Sequence, residues 1–212
     1  MKRTDSKKLV PDFSFEASHL KAGHKLIAGV DEAGRGPWAG PVVAAAVILD
    51  VENIPAGLND SKKLNEAKRE MLFEKIHQTS QVGVGIVSSV EIDKINILQA
   101  TLQAMSQALE NLPGSPTIAL IDGNKAPPVK ILCETIKKGD ARSLSIAAAS
   151  IIAKVTRDRL MKEMDNQFPG YQFARHKGYG TAIHASALEK LGPCPQHRMS
   201  FAPIRALANK PE

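Results

Sequence analysis

The run Pro41–Leu49 (PVVAAAVIL) contains no charged or hydrogen-bonding side chain. It is too short for a free-standing buried helix and rich in β-branched residues at its ends, so it reads as a strand buried on both faces. The segment Lys25–Val30 (KLIAGV) is its natural partner across the Gly-rich turn Gly34–Gly36 and Pro37. Gln81–Val87 alternates as a third strand, Thr117–Ile121 is a short buried fourth, and Val129–Ile136 is a fifth. Between them, Asn65 can cap a helix to about His77, with Ala67, Leu72 and Ile76 inward. A long amphipathic helix spans Glu91–Leu112, with Ile95, Leu98, Leu102, Met105 and Leu109 at three- and four-residue spacing, and Pro113–Pro116 stops it. Leu144–Met164 is a helix that begins apolar on almost all sides. Phe168–Thr181 is an aromatic, basic, glycine-punctuated loop before a short helix at Thr181–Leu191, and Pro193–Pro203 is a further loop. Strands early and helices interleaved later predict an α/β fold with a mixed sheet. The expected organisation is a flexible polar arm over residues 1–24, a domain over 25–165, and a small helical extension over 166–212 packed on that domain.

The charge is uneven along these parts. Residues 1–8 carry four basic side chains and one acidic, residues 9–136 carry 11 and 15, and residues 137–212 carry 13 and six. A basic start and a basic C-terminal third fit a polyanion footprint or ordinary solvated helix faces equally well. Six Phe, two Tyr and one Trp are too few for a broad single-strand stacking platform. Two cysteines, Cys133 and Cys194, do not form a secreted disulfide framework. No stretch reaches the roughly 18–20 apolar residues of a membrane span, and MKRTDSKKLVPDF has no apolar stretch of the signal-peptide kind. A cytoplasmic monomer without a membrane partner is expected.

Acids follow the apolar strands. Asp31 and Glu32 come directly after KLIAGV, Asp122 directly after TIALI, and Asp140 after Val129–Ile136 and the spacer KKG. Strand ends on one side of an open α/β sheet form its usual ligand crevice. If the three strands are neighbours, four carboxyl groups converge there, and cations must neutralise them. Oxygen donors without His or Cys suit Mg²⁺ or Mn²⁺, and two such ions about 3.5–4 Å apart serve phosphoryl displacement. Each acid also reads as a turn former or helix cap, and spacing alone does not choose. Consecutive strand residues point to opposite faces, so Glu32 shares a site with Asp31 only if the chain turns or bulges there.

The motifs themselves go further. GVDEAGRGPWAGPVVAAAVIL (Gly29–Leu49) resembles the N-terminal signature of bacterial ribonuclease HII, the type 2 ribonuclease H family. The resemblance continues in order through LNDSKKL (Leu58–Leu64), EIDKINILQATLQAM (Glu91–Met105), LIDGN (Leu120–Asn124), KKGDARSLSIAAASIIAKVTRDRLM (Lys137–Met161), HKGYGT (His176–Thr181) and HRMSFAPI (His197–Ile204). It implies a ribonuclease H-like fold, a mixed five-stranded sheet flanked by helices, with a small helical C-terminal extension. It also implies an endonuclease that cuts RNA in RNA/DNA hybrids, and 5′ of single ribonucleotides embedded in duplex DNA, leaving 3′-hydroxyl and 5′-phosphate ends. The implied catalytic and metal-binding acids are Asp31, Glu32, Asp122 and Asp140, holding two Mg²⁺ or Mn²⁺ ions. A nuclease of the same fold acting on branched or all-DNA substrates, and a non-catalytic hybrid-binding module, are the competing readings.

By the same resemblance, Gly34, Arg35 and Gly36 meet the ribose 2′-hydroxyl, the group that separates RNA from DNA at one position. Tyr179, after Lys177 and between Gly178 and Gly180, stacks beside the ribonucleotide, and Lys177 is a further substrate contact. Lys62 and the less favoured Lys63 read as phosphate contacts. Lys154, Arg157 and Arg159 read as a solvated helix face, and His176 and His197 as structural or substrate-side residues without zinc-type spacing. Cys133 reads as a small buried hydrophobe. Trp38 stands where the signature usually has a smaller aliphatic residue, which bears on local loop packing.

Overall fold

Every position of β2 (Val42–Leu49) is buried, as its apolar run requires. β1 (Ile27–Ala33) and β3 (Ser80–Val87) run antiparallel to β2 on either side. β4 (Ile118–Asp122) lies parallel to β1, and β5 (Leu132–Ile136) lies parallel to β4. The computed structural model describes residues 9–208, and its sheet has the order β3-β2-β1-β4-β5.

Side-chain alternation divides the core into two layers. Ala28 and Val30 of β1, with Ala44 and Ala46 of β2, face α3 (Ser89–Glu110) and its stripe Ala100, Ala104 and Ala108. Ala45 and Val47 face the other way, toward Leu72, Phe73 and Ile76 of α2 (Glu66–Thr79) and Ala148, Ile151 and Ile152 of α4 (Leu144–Gln167). Small side chains let these helices approach closely. Gly29 carries this to its limit, since a Cβ there would lie 2.1 Å from the Ser145 carbonyl carbon at the start of α4.

Several boundaries differ from the expected ones, each for a local reason. β1 continues through Asp31, Glu32 and Ala33, because β2 goes on pairing with it as far as Ala33 opposite Val43. β5 begins only at Leu132, an edge residue that is 58% exposed. α2 buries Phe73, whereas Ala67 is exposed. α3 starts at Ser89, with the Ser88 hydroxyl accepting from Glu91 N, and breaks at Asn96, whose φ is +68°. There the Asn96 side-chain oxygen accepts from the N–H groups of Leu98 and Gln99, at 3.0 and 3.1 Å, and starts the helix again.

The segment expected as a flexible arm contains α1 (Ser14–Lys21) and a carboxylate that is 1% exposed, Glu16. Glu16 Oε1 accepts from Ser145 N at 2.9 Å and from the hydroxyls of Ser143 and Ser145 at 2.6 Å each. A negative group is favoured at a helix start, so α1 is fastened to the beginning of α4. The basic stretch 1–8 lies outside the described residues. After α4, α5 (Phe173–His176), α6 (Ala182–Leu191) and α7 (Ala202–Ala208) make the small C-terminal extension. Tyr171, Phe173, Leu188 and Ile204 pack there with Met161 of α4 and with Trp38.

Candidate active site

Register brings the first two acids together. Gly29 pairs with Leu120 across the parallel β1–β4 ladder, so one step of two residues brings Asp31 beside Asp122 on the same face. That is the face toward α4, whose approach Gly29 permits. Just before α4, a short 3-10 turn (Gly139–Ala141) carries Asp140. The Gly139 N–H donates to Asp122 Oδ1 at 2.6 Å and ties this turn to the end of β4. Oxygens of Asp31, Asp122 and Asp140 consequently lie within 4.8 Å of one another.

Glu32 leaves β1 on the opposite face, as alternation requires, yet its charge is the strongest acidic influence on Asp31. It is not among those three, and it lines a cleft with Leu98, Leu102 and Met105 of α3. Its Oε1 accepts from the Arg35 guanidinium at 3.3 Å. No bulge interrupts β1, so Glu32 approaches from the rim.

The electrostatics show how unfavourable this cluster is by itself. Burial, then the charges of Glu32, Asp122 and Asp140, push the Asp31 carboxyl well above the ordinary carboxylate range. Burial also raises Glu32, partly offset by Arg35. Asp140 is raised by burial, then by Asp122 and Asp60, with Lys62 opposing. Lys62 Nζ is 3.7 Å from Asp140 Oδ2, and its side chain is 80% exposed. One exposed ammonium does not balance three close carboxyl groups. All-oxygen donors at this spacing fit hard divalent cations, so Asp31, Asp122 and Asp140 would hold them, with Glu32 at the edge.

Beside the acids, Gly34, Arg35 and Gly36 line a second cleft of about 280 Å³ with Lys62, Lys154 and Tyr179. Tyr179 is 47% exposed and free to meet a ligand. Lys154 is ion-paired with Asp158 at 2.7 Å and also lines this cleft, so it is not merely a solvated side chain. Lys177 turns its ammonium onto the Ala174 carbonyl, in a residue with φ +53° that ends α5. Arg159 behaves as expected, pairing with Glu70 and Glu74 at the surface. Arg157 does not: it is 1% exposed, and its Nε, Nη1 and Nη2 donate to the carbonyls of Pro41, Lys177 and Ala39. Cys133 is half-buried. Trp38 packs against Gly180, where a Cβ would lie 2.1 Å from the indole, so the large residue at position 38 is matched by glycine next to Tyr179.

Three histidines hold the Tyr179 loop from behind. His184, which the sequence reading passed over, has Nδ1 on the Tyr179 carbonyl at 3.0 Å and Nε2 on His197 Nε2 at 3.0 Å. His176 has Nε2 on the Tyr171 carbonyl at 2.7 Å, and its Nδ1 accepts from Gly178 N at 3.1 Å. His197 Nδ1 accepts from Cys194 N at 2.9 Å. These bonds close with all three rings neutral: His184 donates from Nδ1, while His176 and His197 donate from Nε2. Burial pushes His184 and His197 down to about 4. Below the ordinary value of 6.5 the unfolded chain binds protons that the folded chain refuses. Stability is therefore full above pH 6.5 and falls as pH drops toward 4. Urea titrations at pH 7.5, 5.5 and 4.5 check this, and His184→Asn should flatten the slope. A slope unchanged in that variant would remove the histidines as its source.

Comparison with known proteins identifies the family. The family described as Ribonuclease HII matches residues 28–204. A ribonuclease HII of Azorhizobium caulinodans is 56% identical over 194 residues, covering 92% of this chain and 75% of its own. The crystal structure of ribonuclease H2 from Pyrococcus horikoshii superposes with a TM-score of 0.71 at 28% identity, over 86% of this chain and 97% of that one. The fold is shared with Bst-RNase HIII, solved in complex with Mn²⁺, at a TM-score of 0.69 and 19% identity over 86% and 69% of the two chains. Among the described residues no helix is long and apolar enough to cross a membrane.

Proposed function

This chain belongs to the ribonuclease HII family, and from that premise we propose that it cuts on the 5′ side of ribonucleotides, single ones in duplex DNA included, using two divalent cations at Asp31, Asp122 and Asp140. The chain is a ribonuclease H, a phosphodiester-hydrolysing endonuclease, with the ribonuclease H-like fold. Three carboxylates within 4.8 Å of one another, next to a Gly-Arg-Gly loop and an exposed tyrosine, carry the finer reading.

Bound there, Mg²⁺ or Mn²⁺ would activate a water and neutralise charge on the departing 3′-oxygen. The protein's own groups do the rest. Asp122, fixed by the Gly139 N–H, and Asp31, on a regular strand, keep their oxygens in place without rearrangement. Glu32 and Arg35 border both clefts at the rim. Lys62, and Lys177 if its ammonium leaves the Ala174 carbonyl, would meet backbone phosphates, which position a duplex without reading sequence. Gly34, Arg35 and Gly36 would meet the ribose, and Tyr179 would stack on the adjoining sugar or base.

A panel of otherwise identical duplexes with no, one or several ribonucleotides tests this, in Mg²⁺, in Mn²⁺ and with chelator. The expected result is metal-dependent cutting 5′ of the ribonucleotide, with 3′-hydroxyl and 5′-phosphate ends and an intact all-DNA duplex. Comparable cutting of the all-DNA duplex would favour a DNA nuclease of this fold. Binding without any metal-dependent product would favour the hybrid-binding module.

A further inference from the structure

The two arginines Arg157 and Arg198 are 1% and 0% exposed, and among the described residues neither forms an ion pair. Both are satisfied by backbone carbonyls. Arg198 Nη2 donates to the carbonyls of Gly34 at 2.6 Å, Gly40 at 2.8 Å and Pro41 at 3.2 Å. Its Nη1 donates to Arg35 O at 3.0 Å and its Nε to Gly40 O at 3.0 Å. A buried guanidinium is costly, and truncation at such a site leaves several carbonyls unpaired. What separates the two arginines is the other end of each peptide they hold.

In a trans peptide the C=O and the following N–H point to opposite sides, and no peptide here is cis. The peptides that Arg157 holds through Ala39 and Lys177 have their N–H groups occupied: Gly40 N donates to Gln196 O at 2.9 Å, and Gly178 N to His176. The peptides that Arg198 holds through Gly34 and Arg35 end in the N–H groups of Arg35 and Gly36. Among the described residues neither has an acceptor. Pro37 follows without an N–H, and Trp38 N is bonded to Gly178 O at 2.8 Å. With their carbonyls drawn onto a buried cation, these two N–H groups face away from it, on a loop that lines the cleft with Lys62 and Tyr179.

We propose that Arg198 is the positioning residue for ribose recognition: it fixes and polarises the Arg35 and Gly36 amides as paired donors for the 2′-hydroxyl oxygen of the ribonucleotide. The assignment rests on the reading of Gly34–Gly36 as the ribose-meeting loop. It acts through that loop, without itself touching substrate. Arg157, equally buried, staples the same region structurally without aiming a free donor.

The test measures binding in an Asp122→Asn background, so that nothing is cut, to a duplex with one ribonucleotide and to the same duplex with deoxyribose there. Arg198→Lys should lower the ribo-to-deoxy affinity ratio about tenfold while leaving all-DNA affinity unchanged, because a hydroxyl is discriminated by fixed polar partners. Arg157→Lys should lower thermal stability and keep the ratio. A ratio retained in Arg198→Lys, or lost equally in Arg157→Lys, would overturn the proposal. Should Arg198→Lys fail to fold, amide NMR of the metal-free wild type decides: the Arg35 and Gly36 N–H signals should shift with the ribonucleotide duplex and not with its deoxy counterpart. Equal shifts with both duplexes would overturn it as well. If the parent Asp122→Asn protein shows no ribo preference, the ribose-meeting role of the loop fails first, which separates that failure from a failure of Arg198.

Discussion

Asp31→Asn is expected to lower hydrolysis of a single-ribonucleotide duplex by roughly a thousandfold or more, while binding persists or tightens. The reasoning is electrostatic. Asp31 is 4% exposed, and its charge is opposed by burial and by three neighbouring acids. Asparagine keeps the oxygen that accepts from Glu32 N at 2.7 Å but removes the charge on which the proposed cation site depends. The metal-free variant should therefore melt a few degrees higher than the metal-free wild type. Added Mn²⁺ should stabilise the wild type and hardly affect the variant, since a ligand raises stability only where it binds. Single-turnover cleavage and melting with and without Mn²⁺ check both statements. Turnover within a few fold of wild type would remove the two-metal assignment.

Gly29→Ala should be nearly as damaging, through packing instead of charge. The added methyl carbon would sit 2.1 Å from Ser145 C, 2.3 Å from Ile146 N and 2.5 Å from Ser145 O. All three are backbone atoms at a helix start already fastened by Glu16, so none can swing aside. A loss above about 3 kcal/mol is expected in urea unfolding, at the severe end for overpacking. The site should suffer as well. Gly29 lies on the face of β1 that carries Asp31, and Asp140 immediately precedes the helix that would be displaced. Mn²⁺ affinity measured by calorimetry should fall at least tenfold. Near-normal stability and affinity would mean that this contact does not set the spacing of the acids.

Much of this was legible in the chain itself. Apolar runs marked the strands because a doubly covered strand has no place for polar side chains, and the acids at the ends of Lys25–Val30 and Thr117–Ile121 pointed to one edge. Strand alternation even separated Glu32 from Asp31. Other features depended on partners distant in sequence. Arg157 reads as a solvated helix residue unless the carbonyls of Ala39, Pro41 and Lys177 are known to converge on it. Arg198 sits in a loop whose pattern carries no sign of burial, and His184 gains its meaning from His197 and the Tyr179 carbonyl. The break at Asn96 was hidden because the apolar spacing runs across it unchanged. The helix at Ser14–Lys21 was missed because its buried group is a carboxylate, which marks surface in most sequences.

The Arg198 clasp has a consequence for the order in which the enzyme comes into being. Ribosomes deliver the chain from its N-terminus, so Asp31, Asp122, Asp140 and α4 emerge well before Arg198 does. Until that guanidinium arrives, the carbonyls of Gly34 and Arg35 have no anchor. In the nascent chain the acids of the proposed site thus precede the residue proposed to fix its ribose-meeting loop.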